Sequence, residues 1–117
     1  MFRDKFIWYN YGILLESQEL LDSAIVIYEQ AELLDSAFDL LQYRMAKVNV
    51  ELKNDVKAEQ YFNKLLKLNP TFEVAYIDFG KMLLKNNQVK VANEMLRQGL
   101  IQFPDNLEIQ KLYKESK

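Results

Sequence analysis

The chain has 117 residues, 15 basic and 17 acidic, for a net charge of −2, and half its residues are hydrophobic. That is the composition of one globular domain with its own core, and the charge is too balanced to argue for nucleic acid or an anionic membrane. Cysteine and histidine are both absent, which excludes disulfides and thiolate chemistry and removes the commonest general base and metal ligand.

From the N-terminus, the apolar run Phe6 to Leu15 is too short to span a bilayer. It contains Asn10, is followed by Glu16 and has no small-residue cleavage site, so it reads as a helix and not as a signal peptide. Within it Trp8, Tyr11, Gly12 and Leu15 recur at i, i+3, i+4 and i+7, one stripe of a helix. Polar Ser17 to Glu19 suit a short turn, and Ala24, Tyr28, Ala31 and Leu34 form the stripe of a second helix. The same plan returns downstream. Tyr76, Phe79, Gly80 and Leu83 are followed by a turn at Asn86-Asn87 and by Ala92, Leu96 and Gly99; asparagine tolerates the left-handed conformation of a helix end. Pro70 and Pro104 end helices, because the residue before proline avoids the helical region.

These elements repeat with a period of 34 residues, seen in Gly12, Ala46 and Gly80, in Ala24, Ala58 and Ala92, in Tyr28, Phe62 and Leu96, and in Ser36, Pro70 and Pro104. Ladders in phase mean an internal repeat. The units run 5–38, 39–72 and 73–106, with a tail at 107–117, all in a single domain over 1–117. The small residues let paired helices approach, small against small, while Tyr28 and Phe62 fill the flanks; a helical glycine costs about 0.5–1 kcal/mol against alanine, so its recurrence implies a packing return. In the tail, Ile109, Leu112 and Tyr113 are expected to cover the third unit, with Lys111, Lys114, Glu115 and Lys117 facing water.

Trp8-x-x-Tyr11-Gly12-x-x-Leu15, Tyr76-x-x-Phe79-Gly80-x-x-Leu83 and Ala58…Phe62…Pro70 resemble the tetratricopeptide repeat over Lys5 to Asn106. Gln42 and Asn49 at two usually large positions, Ser36 in place of proline and Leu65 in place of a small residue depart from it, most of all in the middle unit. The resemblance implies an all-α, right-handed superhelix of antiparallel helix hairpins with about seven helices, the last a cap. It also implies a scaffold that binds a protein or peptide.

The same resemblance puts Phe6, Tyr9, Ile13, Glu16 and Ser17, then Leu40, Tyr43, Lys47, Val50 and Glu51, then Val74, Ile77, Lys81, Leu84 and Lys85 on an inner, concave surface. Apolar anchors with lysines to one side suit a peptide or helix with an acidic flank. Members that clamp the acidic tail of chaperones use lysines, an arginine and asparagines there; Tyr9, Ile13, Val74 and Asp78 stand at those places, so that ligand is not expected. Ile7, Tyr11 and Leu14 form a row that in the family partly faces a preceding repeat, and only Met1 to Asp4 precede it here. The alternative is therefore a structural or self-associating module, or the end of a longer repeat protein. No glycine-rich phosphate loop is present, and Asp35 and Asp39 lie near a helix junction, where capping is the ordinary role. The expectation is a cytoplasmic protein that is no enzyme and uses no cofactor or metal.

Overall fold

The structure, a computed structural model, describes residues 3–117; Met1 and Phe2 lie outside the described residues. Among the described residues are seven helices and no strand: α1 Lys5–Ser17, α2 Leu21–Leu34, α3 Asp39–Glu51, α4 Asp55–Leu68, α5 Glu73–Lys85, α6 Val89–Gln102 and α7 Leu107–Glu115. The chain forms two compact units, Met1–Lys64 and Leu65–Lys117.

Three turns share one backbone device. Glu19, Lys53 and Asn87 each have φ of 60°, and they recur at the 34-residue period. In each turn the next amide reaches back over the helix end: Leu20 N–H donates to Leu15 O (2.9 Å), Asn54 to Asn49 O (2.8 Å) and Gln88 to Leu83 O (2.9 Å). This is the left-handed closure that satisfies orphan carbonyls and turns the chain sharply. Asparagine suits the conformation; glutamate and lysine adopt it at a cost of about 1–2 kcal/mol each. The first turn begins one residue later than Ser17, which is the last residue of α1.

In the first unit Leu15, Ala24, Tyr28, Ala31, Phe38, Leu41, Met45 and Val48 form one buried cluster, flanked by half-buried Trp8, Tyr9, Ile13, Ile25 and Tyr61. The Asp4 carboxylate caps α1 by accepting from Phe6 N–H at 2.9 Å. Sequence spacing sets Gly12 against small residues, but the atoms nearest to where its side chain would stand belong to Tyr28. A methyl group at that position would overlap the Tyr28 ring, so glycine makes room for a large, fully buried aromatic. Tyr28 is held in turn by its hydroxyl, which donates to Glu16.

The second unit is built the same way. A methyl on Gly80 would come within 2.6 Å of Leu96 Cδ2, and one on Gly99 within 3.0 Å of Tyr76 Cβ. Ala75, Tyr76, Phe79, Leu83, Ala92 and Leu96 are buried, and Ile109 and Leu112 of α7 join them. Asn106 caps α7, its side-chain oxygen accepting from Ile109 N–H at 2.9 Å. Asn93 Nδ2 donates to Ser116 Oγ (2.9 Å) and Ser116 Oγ to Tyr113 O (2.6 Å), fastening the end of α7.

Candidate functional site

In the first unit Phe6, Tyr9 and Ile13 are spaced i, i+3, i+7 along α1, and Leu40, Tyr43, Lys47 and Val50 are spaced i, i+3, i+7, i+10 along α3. Each set therefore lies on one helical face. Phe6 is 52% exposed and Leu40 46%; Tyr9, Ile13, Tyr43, Lys47 and Val50 are half-buried. Phe6 meets Phe38 edge-on with ring centres 5.4 Å apart, and Lys5 Nζ lies 4.9 Å from the Phe38 ring centre. Tyr9 packs on Phe38 at 4.9 Å and on Tyr28 at 6.2 Å. Lys47 Nζ stands 6.0 Å from the Tyr43 ring centre, at the outer limit of a cation–π contact.

A residue that spacing alone does not single out ties this face together. Arg44 hydrogen-bonds with Tyr9 and pairs with Glu16 at 3.7 Å. Burial by itself would lower the Arg44 guanidinium; the Tyr9 hydrogen bond and the Glu16 carboxylate outweigh it and raise it. Burial, then the hydrogen bond to Glu16, pushes the Tyr28 phenol well above its ordinary range. Glu16 thus faces one cation and one phenol, while Tyr9 is held by two aromatic rings and by Arg44. The signal that could have found Arg44 is its place on α3, one residue beyond Tyr43, but which way it turns depends on the neighbouring helix.

In the second unit Ile77 and Leu84 are half-buried, and Lys81 and Lys85 exposed. Lys81 pairs with Glu108 of α7 at 3.4 Å, so part of its charge is already met within the unit. Val74 and Ile77 form one side of a cavity of about 520 Å³, whose other walls are Asn69, Thr71, Phe72, Glu73 and Asn106. Polar groups on its rim bond to one another. Asn106 Nδ2 donates to Glu73 at 2.7 Å, and Asn69 Oδ1 accepts from Thr71 N–H and Oγ1.

Ile7, Tyr11 and Leu14 are 45%, 46% and 53% exposed, whereas Leu41, Met45 and Val48, one repeat later, are all fully buried. The third set, Ala75, Phe79 and Met82, is buried as well. Asp35, one of the two junction carboxylates, closes α2: it accepts from Ala37 N–H at 3.0 Å and from Lys5. The Lys5 bond, then the Ala37 amide, holds its carboxyl below the ordinary range. Asp39 accepts from Leu40 N–H at 2.7 Å. Among the described residues no group of His, Cys, Asp and Glu side chains is placed to hold a metal, and no helix is long and apolar enough to cross a membrane.

Residues 7–38 and 41–72 each match the family model described as Tetratricopeptide repeat. No curated protein matches the sequence. Among solved structures, the chain is similar to the first TPR of Spaghetti (RPAP3) bound to HSP90 peptide SRMEEVD, at 21% identity over 96% of this chain and 89% of that one, with a TM-score of 0.83. It is similar to YrrB, a TPR protein with an unusual peptide-binding site, at 24% identity over 97% of this chain and 59% of that one, TM-score 0.83. A tetratricopeptide repeat protein from Parabacteroides merdae is similar at 19% identity over 96% of this chain and 44% of that one, TM-score 0.88. At such identities the likeness speaks for the fold.

Proposed function

The chain belongs to the tetratricopeptide repeat family, and from that premise we propose that it is a protein-interaction scaffold whose inner helix faces take a peptide or helix with apolar anchors and an acidic flank. The family is typically a non-enzymatic interaction module. The contact residues of this reading are Phe6, Tyr9, Ile13, Leu40, Tyr43, Lys47 and Val50 in the first unit and Ile77, Lys81, Leu84 and Lys85 in the second. The observation that carries it is the exposure of Phe6 and Leu40 in line with half-buried aromatics on the same helical faces. Exposed apolar side chains in line with aromatics on one helical face suit a contact site, and rigid aromatics such as Tyr9 and Tyr43 make good anchors because little side-chain entropy is lost on binding.

The RPAP3 domain is bound to an HSP90 peptide, but Tyr9, Ile13, Val74 and Asp78 stand where the chaperone-tail clamp would be, and the Asp78 carboxylate opposes another carboxylate. The ligand class favoured here is therefore apolar-anchored and not led by a C-terminal carboxylate. Catalysis forms no part of this reading, since Asp35 and Asp39 act as turn and helix-start acceptors.

The test is a titration of isotope-labelled protein with defined peptides: a helix-forming peptide with leucines at i and i+4 beside a run of glutamates, the same peptide with the leucines changed to serine, and SRMEEVD. The first is expected to shift the Tyr9, Tyr43 and Ile77 signals, and Tyr43→Glu to weaken it about 10-fold or more. Equal binding of the serine peptide, or preference for SRMEEVD, would sink the proposal.

A second reading has its own observation. The exposed row Ile7, Tyr11 and Leu14 occupies places that are buried in both later repeats, which favours association through the front of α1.

A further inference from the structure

We infer that the Ile7, Tyr11 and Leu14 row seats a second copy of this chain, α1 against α1 in an antiparallel, two-fold contact, giving a closed pair and not an open-ended stack. This rests on the association reading above and adds the geometry of the partner.

The chain contains its own control for what the row requires. In the first unit the equivalent residues of α3, Leu41, Met45 and Val48, pack in one cluster with Leu15, Ala24, Tyr28, Ala31 and Phe38. The row is thus a docking edge wherever it recurs, and its exposure on α1 leaves apolar area that burial would stabilise by roughly 25 cal/mol per Å².

Two occupants from a second copy are conceivable, its front or its rear. The rear surface that would receive the row is the third-unit counterpart of the α2 face, formed by Ala92, Leu96 and Gly99. It is already closed: Ala92 and Leu96 are fully buried, and α7 packs on α6 with Ile109 and Leu112 buried. Front-to-rear stacking would have to strip α7 away, including its Asn106 cap and the Asn93–Ser116 bond. A heterologous contact of that kind also propagates into filaments, whereas front-to-front contact closes on itself.

Charge makes like-with-like contact permissible. From Phe6 to Leu15 α1 carries no charged residue, so two copies can meet without opposing like charges. The corresponding stretch of α3 contains Arg44 and Lys47, and that of α5 contains Asp78 and Lys81. The remaining choice is direction. A parallel pair would set Arg3 against Arg3 and Asp4 against Asp4 and would align the two helix dipoles. Lys5 is already paired with Asp35 and Glu16 with Arg44, so an antiparallel pair sets Arg3 toward the end that carries Glu19, and it opposes the dipoles favourably. Tyr11 then faces its own copy at the two-fold axis, and Ile7 faces Leu14. Three side chains bury less than the roughly 1,200 Å² of a standard interface, so the pair is weak and depends on concentration.

The absence of cysteine makes the test clean. Sedimentation of the wild-type chain from about 10 μM to about 1 mM is expected to show monomer passing to dimer, with Tyr11→Glu shifting the midpoint about 30-fold or more. Tyr11→Cys, with helicity checked by circular dichroism, is expected to cross-link to itself through a short bis-maleimide. Ile7→Cys is expected to link to Leu14→Cys in a mixture and not to itself. Dimers that form while the Tyr11→Cys variant fails to link to itself overturn the two-fold arrangement but leave association through the row standing. Species that grow beyond dimers overturn the closed pair. A strict monomer throughout the range overturns both.

Discussion

α1 and α3 begin consecutive repeats and invert each other's polarity. α1 is apolar where it meets water: Ile7, Tyr11 and Leu14 are each about half exposed. α3 is polar where it meets none: Gln42 is fully buried and Asn49 2% exposed, at the places held by Trp8 and Leu15 in α1. Gln42 Nε2 donates to Glu32 (3.0 Å) and to Ser36 O (3.2 Å), Lys64 joins the same carboxylate at 3.2 Å, and Asn49 Nδ2 donates back to Met45 O at 2.7 Å. The same repeat position is exposed in the first repeat and buried in the second, so which repeat a residue belongs to decides its burial, and local hydrogen bonds meet part of the polarity buried in α3. The first repeat leaves apolar surface exposed. The second repeat's buried amides are a departure from the family pattern that costs stability inside it.

The sharpest way to break this comparison is to place one charge at the same repeat position in both helices. Met45→Glu buries an unpaired carboxylate and is expected to cost about 4 kcal/mol, read as collapse of the first unit in thermal melts followed by circular dichroism. Tyr11→Glu sits in water and is expected to stay within about 0.5 kcal/mol of wild type. Equal effects would mean that α1 and α3 do not differ in burial at this repeat position.

Next in size is Gly12→Ala. Its methyl group overlaps a Tyr28 ring that is fully buried and tied at its hydroxyl to Glu16. A loss of about 2 kcal/mol is expected in denaturant titrations, overpacking outweighing the gain in helix propensity. Gly80→Ala meets the movable end of Leu96 and should cost less than half as much; the reverse order would refute the packing argument.

Gln42→Leu should stabilise by about 1 kcal/mol, since leucine removes a buried orphan while Glu32 keeps Lys64. The orphan is the amide oxygen of Gln42, which is buried without a hydrogen-bond partner. A lower urea midpoint would show that the Glu32 and Ser36 bonds are worth more than the orphan costs.

The smallest effect is one of pH. Burial, then Glu32 and Glu29, pushes the Tyr61 phenol up to about 12 from 10.0. A raised folded-state pKa gives stability that is complete below the unfolded value and lost as pH rises through the folded one. Stability of the first unit should therefore fall between pH 10.0 and about 12. Tyr61→Phe should flatten part of that fall, while the upward-shifted Tyr28 keeps the rest.

Much of the fold is legible in the sequence because it is periodic. The 34-residue ladders imply the helix pairs, Pro70 and Pro104 mark where α4 and α6 stop, and Asn86-Asn87 marks a turn whose left-handed residue is Asn87. The candidate contact residues are likewise nameable from helical spacing and family resemblance. What the periodicity cannot supply is which side chain crosses to meet which. It pairs Gly12 with small residues, and tertiary packing sets Tyr28 there. Nor does it foresee Arg44 bridging Tyr9 and Glu16, Glu108 meeting Lys81, or a cavity rimmed by Asn69 and Asn106. A repeat period records where each residue lies along its own helix; contacts between helices depend on crossing geometry and rotamer choice, which only the packed chain decides.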